Sequence, residues 1–178
     1  DERAAELGAD RARREGEERR AGGVVAAARR QAADAFAHAV QDQLRPLAMP
    51  TARMEVTVNG DEGQEVAFLF AADGGAPALP LTKVASGGEL SRVMLAIRRV
   101  LATAPPTLVF DEVDAGIGGE TGGVLAQSLA ELAATHQVLV VTHLPQVAAI
   151  AECQVLIDNR PGEQVSTTTA RVLEGPER

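Results

Sequence analysis

Three short stretches of the 178-residue sequence carry side chains that could do chemistry, and each lies where an apolar segment begins or ends. Thr107-Leu108-Val109-Phe110 reads as a short buried strand finishing in Asp111-Glu112, and Val138 to Thr142 reads as a second one finishing in His143. In open parallel sheets, ligands bind beyond the carboxyl ends of the strands. Neighbouring strands would therefore deliver two acids and an imidazole to one rim. Consecutive strand residues point to opposite faces, so Asp111 and Glu112 would do different jobs. An apolar strand followed by Asp has the form of a Walker B motif. Its carboxylate holds a hard, water-retaining Mg2+ beside phosphates, and the Glu that follows can orient or deprotonate an attacking water. The same pair also arises where a strand simply leaves the core and meets solvent.

The third stretch, Ser86-Gly87-Gly88-Glu89, opens an apolar-periodic segment and fits two roles. Ser with Glu three residues on is a capping box, common at any helix start. Two glycines also let backbone N–H groups approach an anion at a helix amino end. Capping does not need them and they weaken the helix, which favours a phosphate. The loop Asp114-Ala115-Gly116-Ile117-Gly118-Gly119-Glu120-Thr121 invites a dinucleotide reading but fails it, because the third glycine position is Thr121. No G-x-x-x-x-G-K-[ST] occurs, so the chain has no phosphate-cradling P-loop of its own. His38 and His136 read as surface and pre-strand residues and Cys153 as a small core residue. Arg98-Arg99 reads as a solvated helix face, with Arg92 close enough to the glycine turn to face a ligand.

These residues need a scaffold, and the spacing predicts one. A helix over 87–101 carries Leu90, Val93, Met94, Ile97, Val100 and Leu101, and Pro105-Pro106 ends it. A Gly-rich loop over 116–123 leads to a helix with Val124, Leu125, Ser128, Leu129 and Leu132. Pro145 suits the first turn of a short helix reaching about Glu152, and strands at about 154–158 and 165–173 close the chain. Alternating helices and all-apolar strands imply a parallel sheet covered on both faces. Earlier in the chain, Met54, Val56 and Val58 alternate, as do Val66, Phe68 and Phe70. Between them Asn59-Gly60-Asp61-Glu62-Gly63 supplies turn chemistry for an antiparallel hairpin. Residues 1–23 are mixed-charge and end in Gly22-Gly23. Over 24–47, Val25, Ala28, Ala32, Ala35/Phe36, Ala39/Val40 and Leu44/Leu47 recur at helical steps until Pro46 and Pro50 stop them. That stretch suits either the end of a coiled coil or a solvated surface helix.

Composition narrows the function classes. The chain is 46% apolar and 24% charged, ordinary for a globular protein. No window approaches the roughly 18 apolar residues of a membrane helix, and the Arg-rich start is no signal peptide. A single cysteine excludes an intrachain disulfide, and with three His leaves little material for zinc. A cytoplasmic protein is expected, and the initial Asp suggests a piece of a longer one. Residues 1–45 balance 9 acids with 9 Arg, whereas 46–178 hold 16 acids against 8 bases and carry the net charge of −8. With four Phe and neither Trp nor Tyr, the acidic body offers no phosphate-binding field and no stacking platform.

In order and spacing, Lys83–Arg92 (KVASGGELSR), Thr107–Gly119 (TLVFDEVDAGIGG) and Val141–Ala148 (VTHLPQVA) resemble the carboxyl-terminal half of an ABC-type ATPase head. The Asp-Ala-Gly-Ile-Gly-Gly run after the Walker B strand is similar to the RecN-like branch of the SMC-related ATPases. The resemblance implies an α/β fold with a helix-covered parallel sheet and an antiparallel hairpin at its edge. It makes 1–47 the remnant of a coiled-coil arm and 48–178 the carboxyl-terminal lobe of the head. It implies Ser86, Gly87, Gly88 and Glu89 as a signature segment at the γ-phosphate of ATP held by an opposing protomer. Asp111 would lie at Mg2+, Glu112 would be the general base, Asp114 would belong to a loop crossing the dimer interface, and His143 would sense the γ-phosphate. The implied partners are an amino-terminal Walker A half, a second head protomer, and DNA through the full-length protein, with no membrane. ATP hydrolysis would serve double-strand-break repair, near the nucleoid. The Walker A segment is missing, so this chain alone is expected to be inactive. An ABC transporter subunit and an inactive ABC-like scaffold are the alternatives.

Overall fold

The computed structural model describes residues 2–83, 86–101, 105–160 and 167–174, which form two compact units, 1–103 and 104–178. Val84, Ala85 and the expected strand start at 165–166 lie outside the described residues.

The first unit is built on one helix, α1 (Glu2–Leu44), which runs straight through Gly22-Gly23. At about 1.5 Å per residue it is roughly 65 Å long. Its first five turns are exposed and laced by local ion pairs: Arg11–Glu15, Arg13–Glu17 and Asp10 with both Arg13 and Arg14. Arg14 and then Arg13 hold the Asp10 carboxyl below its ordinary value. Burial begins at Ala26 and continues through Ala33, Ala37, Val40 and Leu44. The expected seam of Val25, Ala28, Ala32 and Ala35 is therefore one step out of phase, since those four are exposed. In an alanine-rich helix several faces look equally apolar, and the partner chooses among them.

That partner is a hairpin. Strands β1 (Arg53–Asn59) and β2 (Glu65–Ala71) pair antiparallel, as their alternation predicts, in the register Met54↔Phe70, Val56↔Phe68, Val58↔Val66, and β3 (Leu79–Pro80) adds to the β2 edge. The turn meets α1 closely. Gly63 has φ +63°, and a Cβ there would lie 2.7 Å from Ala26 Cα. Arg29 and Arg30 donate to the turn carbonyls of Gly63 and Gly60, each at 2.7 Å, and the Met54 amide donates to Gln41 Oε1 at 2.8 Å. Helix α2 (Gly87–Val100) completes the core, in which Val40, Leu44, Met54, Phe70, Val93 and Ile97 pack together.

In the second unit β4 (Thr107–Phe110) and β5 (Gln137–Val140) pair in parallel, with Leu108↔Val138 and Phe110↔Val140. Helix α3 (Gly119–Ala133) joins them, starting within the expected Gly-rich loop. The short helix α4 (Pro145–Ala148) follows β5, and a Cβ on Gly122 of α3 would meet Leu144, just before α4, at an ordinary packing distance of 3.4 Å. Leu108, Phe110, Leu125, Leu129, Leu144 and Val147 are buried. Among the described residues the other side of this sheet is open: Val109, Leu139 and Val141 are 67%, 50% and 62% exposed. Strands β6 (Val155–Arg160) and β7 (Thr167–Val172) form a separate antiparallel hairpin. Cys153, expected in the core, is exposed because it precedes the strand start at Val155. Among the described residues no helix is long and apolar enough to cross a membrane.

Gly63→Ala adds left-handed strain and a clash with Ala26, so it should cost about 2–4 kcal/mol in urea denaturation. Gly23→Ala, with open space around it, should instead stabilise by up to about 1 kcal/mol. Equal effects of the two changes would contradict the close packing of turn on helix.

Candidate functional site

The parallel pairing of β4 with β5 makes the two expected rim segments neighbours. The ladder extends one step beyond the strands, where the Val141 amide donates to the Phe110 carbonyl at 2.9 Å. Asp111 and Glu112 follow on one chain, and Thr142 and His143 on the other. Asp111, Glu112 and His143 are exposed. Glu112 adopts φ +53°, a left-handed conformation unusual for a side chain of this size. Strand alternation therefore stops at Phe110, and a turn sets the two acids apart.

Asp114 holds the rim together. It is only 1% exposed, and one carboxylate oxygen, Oδ2, accepts from the Thr142 hydroxyl, from the His143 amide at 2.9 Å and from the Leu144 amide at 3.3 Å. The Leu144 amide also donates to Thr142 Oγ1 at 3.0 Å. His143 Nδ1 lies 3.2 Å from the same Oδ2, while its ring remains 70% exposed. Burial pushes the Asp114 carboxyl up. The Thr142 hydroxyl, the amides of His143 and Asp114, and the nearby imidazole outweigh it and leave the carboxyl below its ordinary value.

Ser86-Gly87-Gly88-Glu89 stands in the other unit, at the start of α2. Ser86 is the N-cap, and its hydroxyl accepts from the Glu89 amide at 3.4 Å, so one arm of the capping box is formed. Arg92, expected to face a ligand, is buried instead. Burial holds its guanidinium below its ordinary value, with Glu89 opposing the shift. Arg92 lies about one and a half turns into α2 on the buried face that carries Val93 and Ala96, so nearness to the glycine turn does not bring it outward.

Sequence reasoning missed Thr142 altogether. The available signal was a hydroxyl residue immediately before the rim histidine, on the strand expected to neighbour the one that leads to Asp114.

Comparison with known proteins follows from these features. No family model matches the chain. The DNA repair protein RecN of Streptomyces coelicolor is 46% identical over 171 residues, which cover 85% of this chain and 30% of that protein. RecN of Deinococcus radiodurans is 42% identical over 163 residues, covering 88% and 29%. The chain belongs to the RecN family. It spans only about 30% of the length of these RecN relatives. Among solved structures, the Smc head domain with an extended coiled coil bound to the C-terminal domain of ScpA, from Pyrococcus furiosus, superposes with TM-score 0.52 at 19% identity. That match covers 78% of this chain and 35% of the other. The Smc head domain with a coiled coil and joint from Pyrococcus yayanosii gives 0.51 at 21% identity, covering 77% and 26%. These likenesses show that this RecN-family chain has the α/β fold of part of those head domains.

Two outcomes test the rim. The folded Asp114 carboxyl titrates below the ordinary value of 3.8, so its stabilisation is complete above that value and is lost as pH falls through the lower, folded one. Asp114→Asn should therefore cost about 2 kcal/mol near neutral pH, and the gap from the unchanged chain should narrow as denaturation is repeated below 3.8. A gap independent of pH would show that ionised Asp114 is not the stabilising species. Glu112→Gly should be neutral or stabilise by up to about 1 kcal/mol, because it relieves the left-handed strain. The same change at Glu120, in the first turn of α3, should cost about 1 kcal/mol. Equal losses would mean that Glu112 is unstrained.

Proposed function

We propose that this chain is the carboxyl-terminal part of an SMC-like ABC ATPase head that hydrolyses ATP at a head–head interface in the repair of DNA double-strand breaks. Residues 1–47 are the returning coiled-coil arm and 48–178 the lobe that lacks Walker A. The observation that carries this function is the parallel β4–β5 register, which delivers Asp111, Glu112 and His143 to one rim with Asp114 joining the loops beneath them. The bare face of Val109, Leu139 and Val141 supports it too, as apolar sheet surface that the amino-terminal half of the head would cover.

Within that head, Glu112 takes a proton from, or orients, the attacking water, and His143 meets the terminal phosphate. Ser86, Gly87, Gly88 and Glu89 present the amino end of α2 to the γ-phosphate of ATP on the opposing protomer, and the Asp114 loop lies at that interface. Exposed Asp111 suits a Mg2+ that keeps most of its water ligands. Among the described residues no group of three or more His, Cys, Asp or Glu is arranged as a protein cage. Bound there by Asp111, the ion would supply neutralising charge to the phosphates. The net-acidic body leaves DNA contact to other parts of the full-length protein. The names of the curated relatives, all DNA repair proteins, favour this function over a transporter subunit.

MgATP hydrolysis by the chain alone and with the amino-terminal half added in trans tests the proposal. Turnover should appear only in the mixture, and Glu112→Gln should lower it by about 10²–10⁴-fold while ATP-dependent dimerisation persists. Ser86→Arg should abolish both. Robust hydrolysis by the chain alone, or none in the mixture or the full-length protein, would overturn it.

A further inference from the structure

The contact between Asp114 and the His143 ring has a consequence for the chemistry of the imidazole. A neutral imidazole has one protonated nitrogen and one bare nitrogen, and the partner of one nitrogen decides which is which. Nδ1 lies 3.2 Å from Asp114 Oδ2. A carboxylate oxygen can only accept, so this approach is attractive when Nδ1 carries the proton and repulsive when it carries a lone pair. The His143 amide donates to the same oxygen at 2.9 Å and the Thr142 hydroxyl donates to it as well, which keeps the carboxylate beside the ring. The carboxylate is buried and the ring is 70% exposed. The nitrogen facing the rim and solvent is therefore Nε2.

We infer that Asp114 is a positioning residue that biases His143 toward the Nδ1–H tautomer and presents Nε2 to the rim. While the ring is neutral, Nε2 is an acceptor able to take a hydrogen bond or a proton from water. Only the imidazolium can donate from Nε2 to an anionic oxygen, and in that form the carboxylate beside Nδ1 balances the charge. The connection to hydrolysis rests on the function proposed above, but the tautomer does not.

The test is the two-bond nitrogen–proton correlation of the imidazole rings in the 15N-labelled chain, at about pH 8, above the ordinary histidine range. The chain has three histidines, and His143→Gln identifies the His143 signals by their loss. In the unsubstituted chain, Nδ1 of His143 should give the signature of a protonated ring nitrogen and Nε2 that of a bare one. Asp114→Ala should shift the ring toward the Nε2–H form, and Asp114→Asn, which keeps the shape, should weaken the preference. Thr142→Val removes a donor from the same carboxylate. It should lower the denaturation midpoint and leave the His143 pattern in place, which separates positioning from general loosening of the loop. An Nε2–H pattern in the unsubstituted chain, or a pattern indifferent to both Asp114 variants, would overturn the inference. If Asp114→Ala does not fold, Asp114→Asn and Thr142→Val still decide it. The readout needs no nucleotide, so an absence of ATP hydrolysis in the two-half mixture would defeat the proposed function and leave this inference standing.

Discussion

One carboxylate oxygen carries much of the second unit. The β4–β5 ladder is four residues long, and it ends one step further with the Val141 amide on the Phe110 carbonyl, where two loops leave the sheet. Asp114 Oδ2 gathers a hydroxyl, two amides and an imidazole edge from the opposite loop. Burying an ionised carboxylate costs several kcal/mol unless donors replace its water, and removing the acceptor would take away the carboxylate partner of the half-buried Thr142 hydroxyl. The arrangement is close to all-or-none. It also accounts for the strained Glu112: Phe110 is held in the ladder, Val113 is fully buried and Asp114 is tied down. The backbone between them must turn sharply, and strain of this kind persists only where its surroundings over-determine it.

The first unit follows a different logic. Exposed i,i+4 pairs such as Arg11–Glu15 contribute a few tenths of a kcal/mol each, too little to nucleate a helix. Nucleation is the costly step and propagation is cheap. Packing of Ala26, Ala33, Ala37, Val40 and Leu44 against the hairpin and α2 provides the nucleus, and the charged turns extend from it. Gly63 and the two arginines on the hairpin turn set the distance and phase of that packing.

How much of this was legible in the sequence follows from the same physics. The hairpin was readable, because alternation and a Gly-containing turn put Met54 and Val56 on one strand face and Phe68 and Phe70 on the other strand's matching face, and the structure adds the register. The rim was readable because apolar strands ending in Asp111-Glu112 and His143 are distinctive. The helix phase was not, since alanine scarcely distinguishes one face from another until Gly63 selects Ala26. The inward turn of Asp114 was hidden as well. An acid in a glycine-rich loop looks solvent-facing, and its donors lie 28 to 30 residues away on another strand.

The sheet face that the described residues leave exposed is informative. Parallel strands this apolar are ordinarily buried on both sides, yet Val109, Leu139 and Val141 are each at least half exposed. Fully burying an aliphatic side chain is worth about 1.5–3 kcal/mol, so covering the exposed fraction of these three would add about 3–5 kcal/mol. The residues concerned alternate along the strands with Phe110 and Val140 and lead directly into Asp111 and His143. A covering element would therefore stabilise the segments that carry the rim groups. Assembly of the sheet and geometry of the rim are properties of the same few residues, and a change that weakens one is transmitted to the other along the strands.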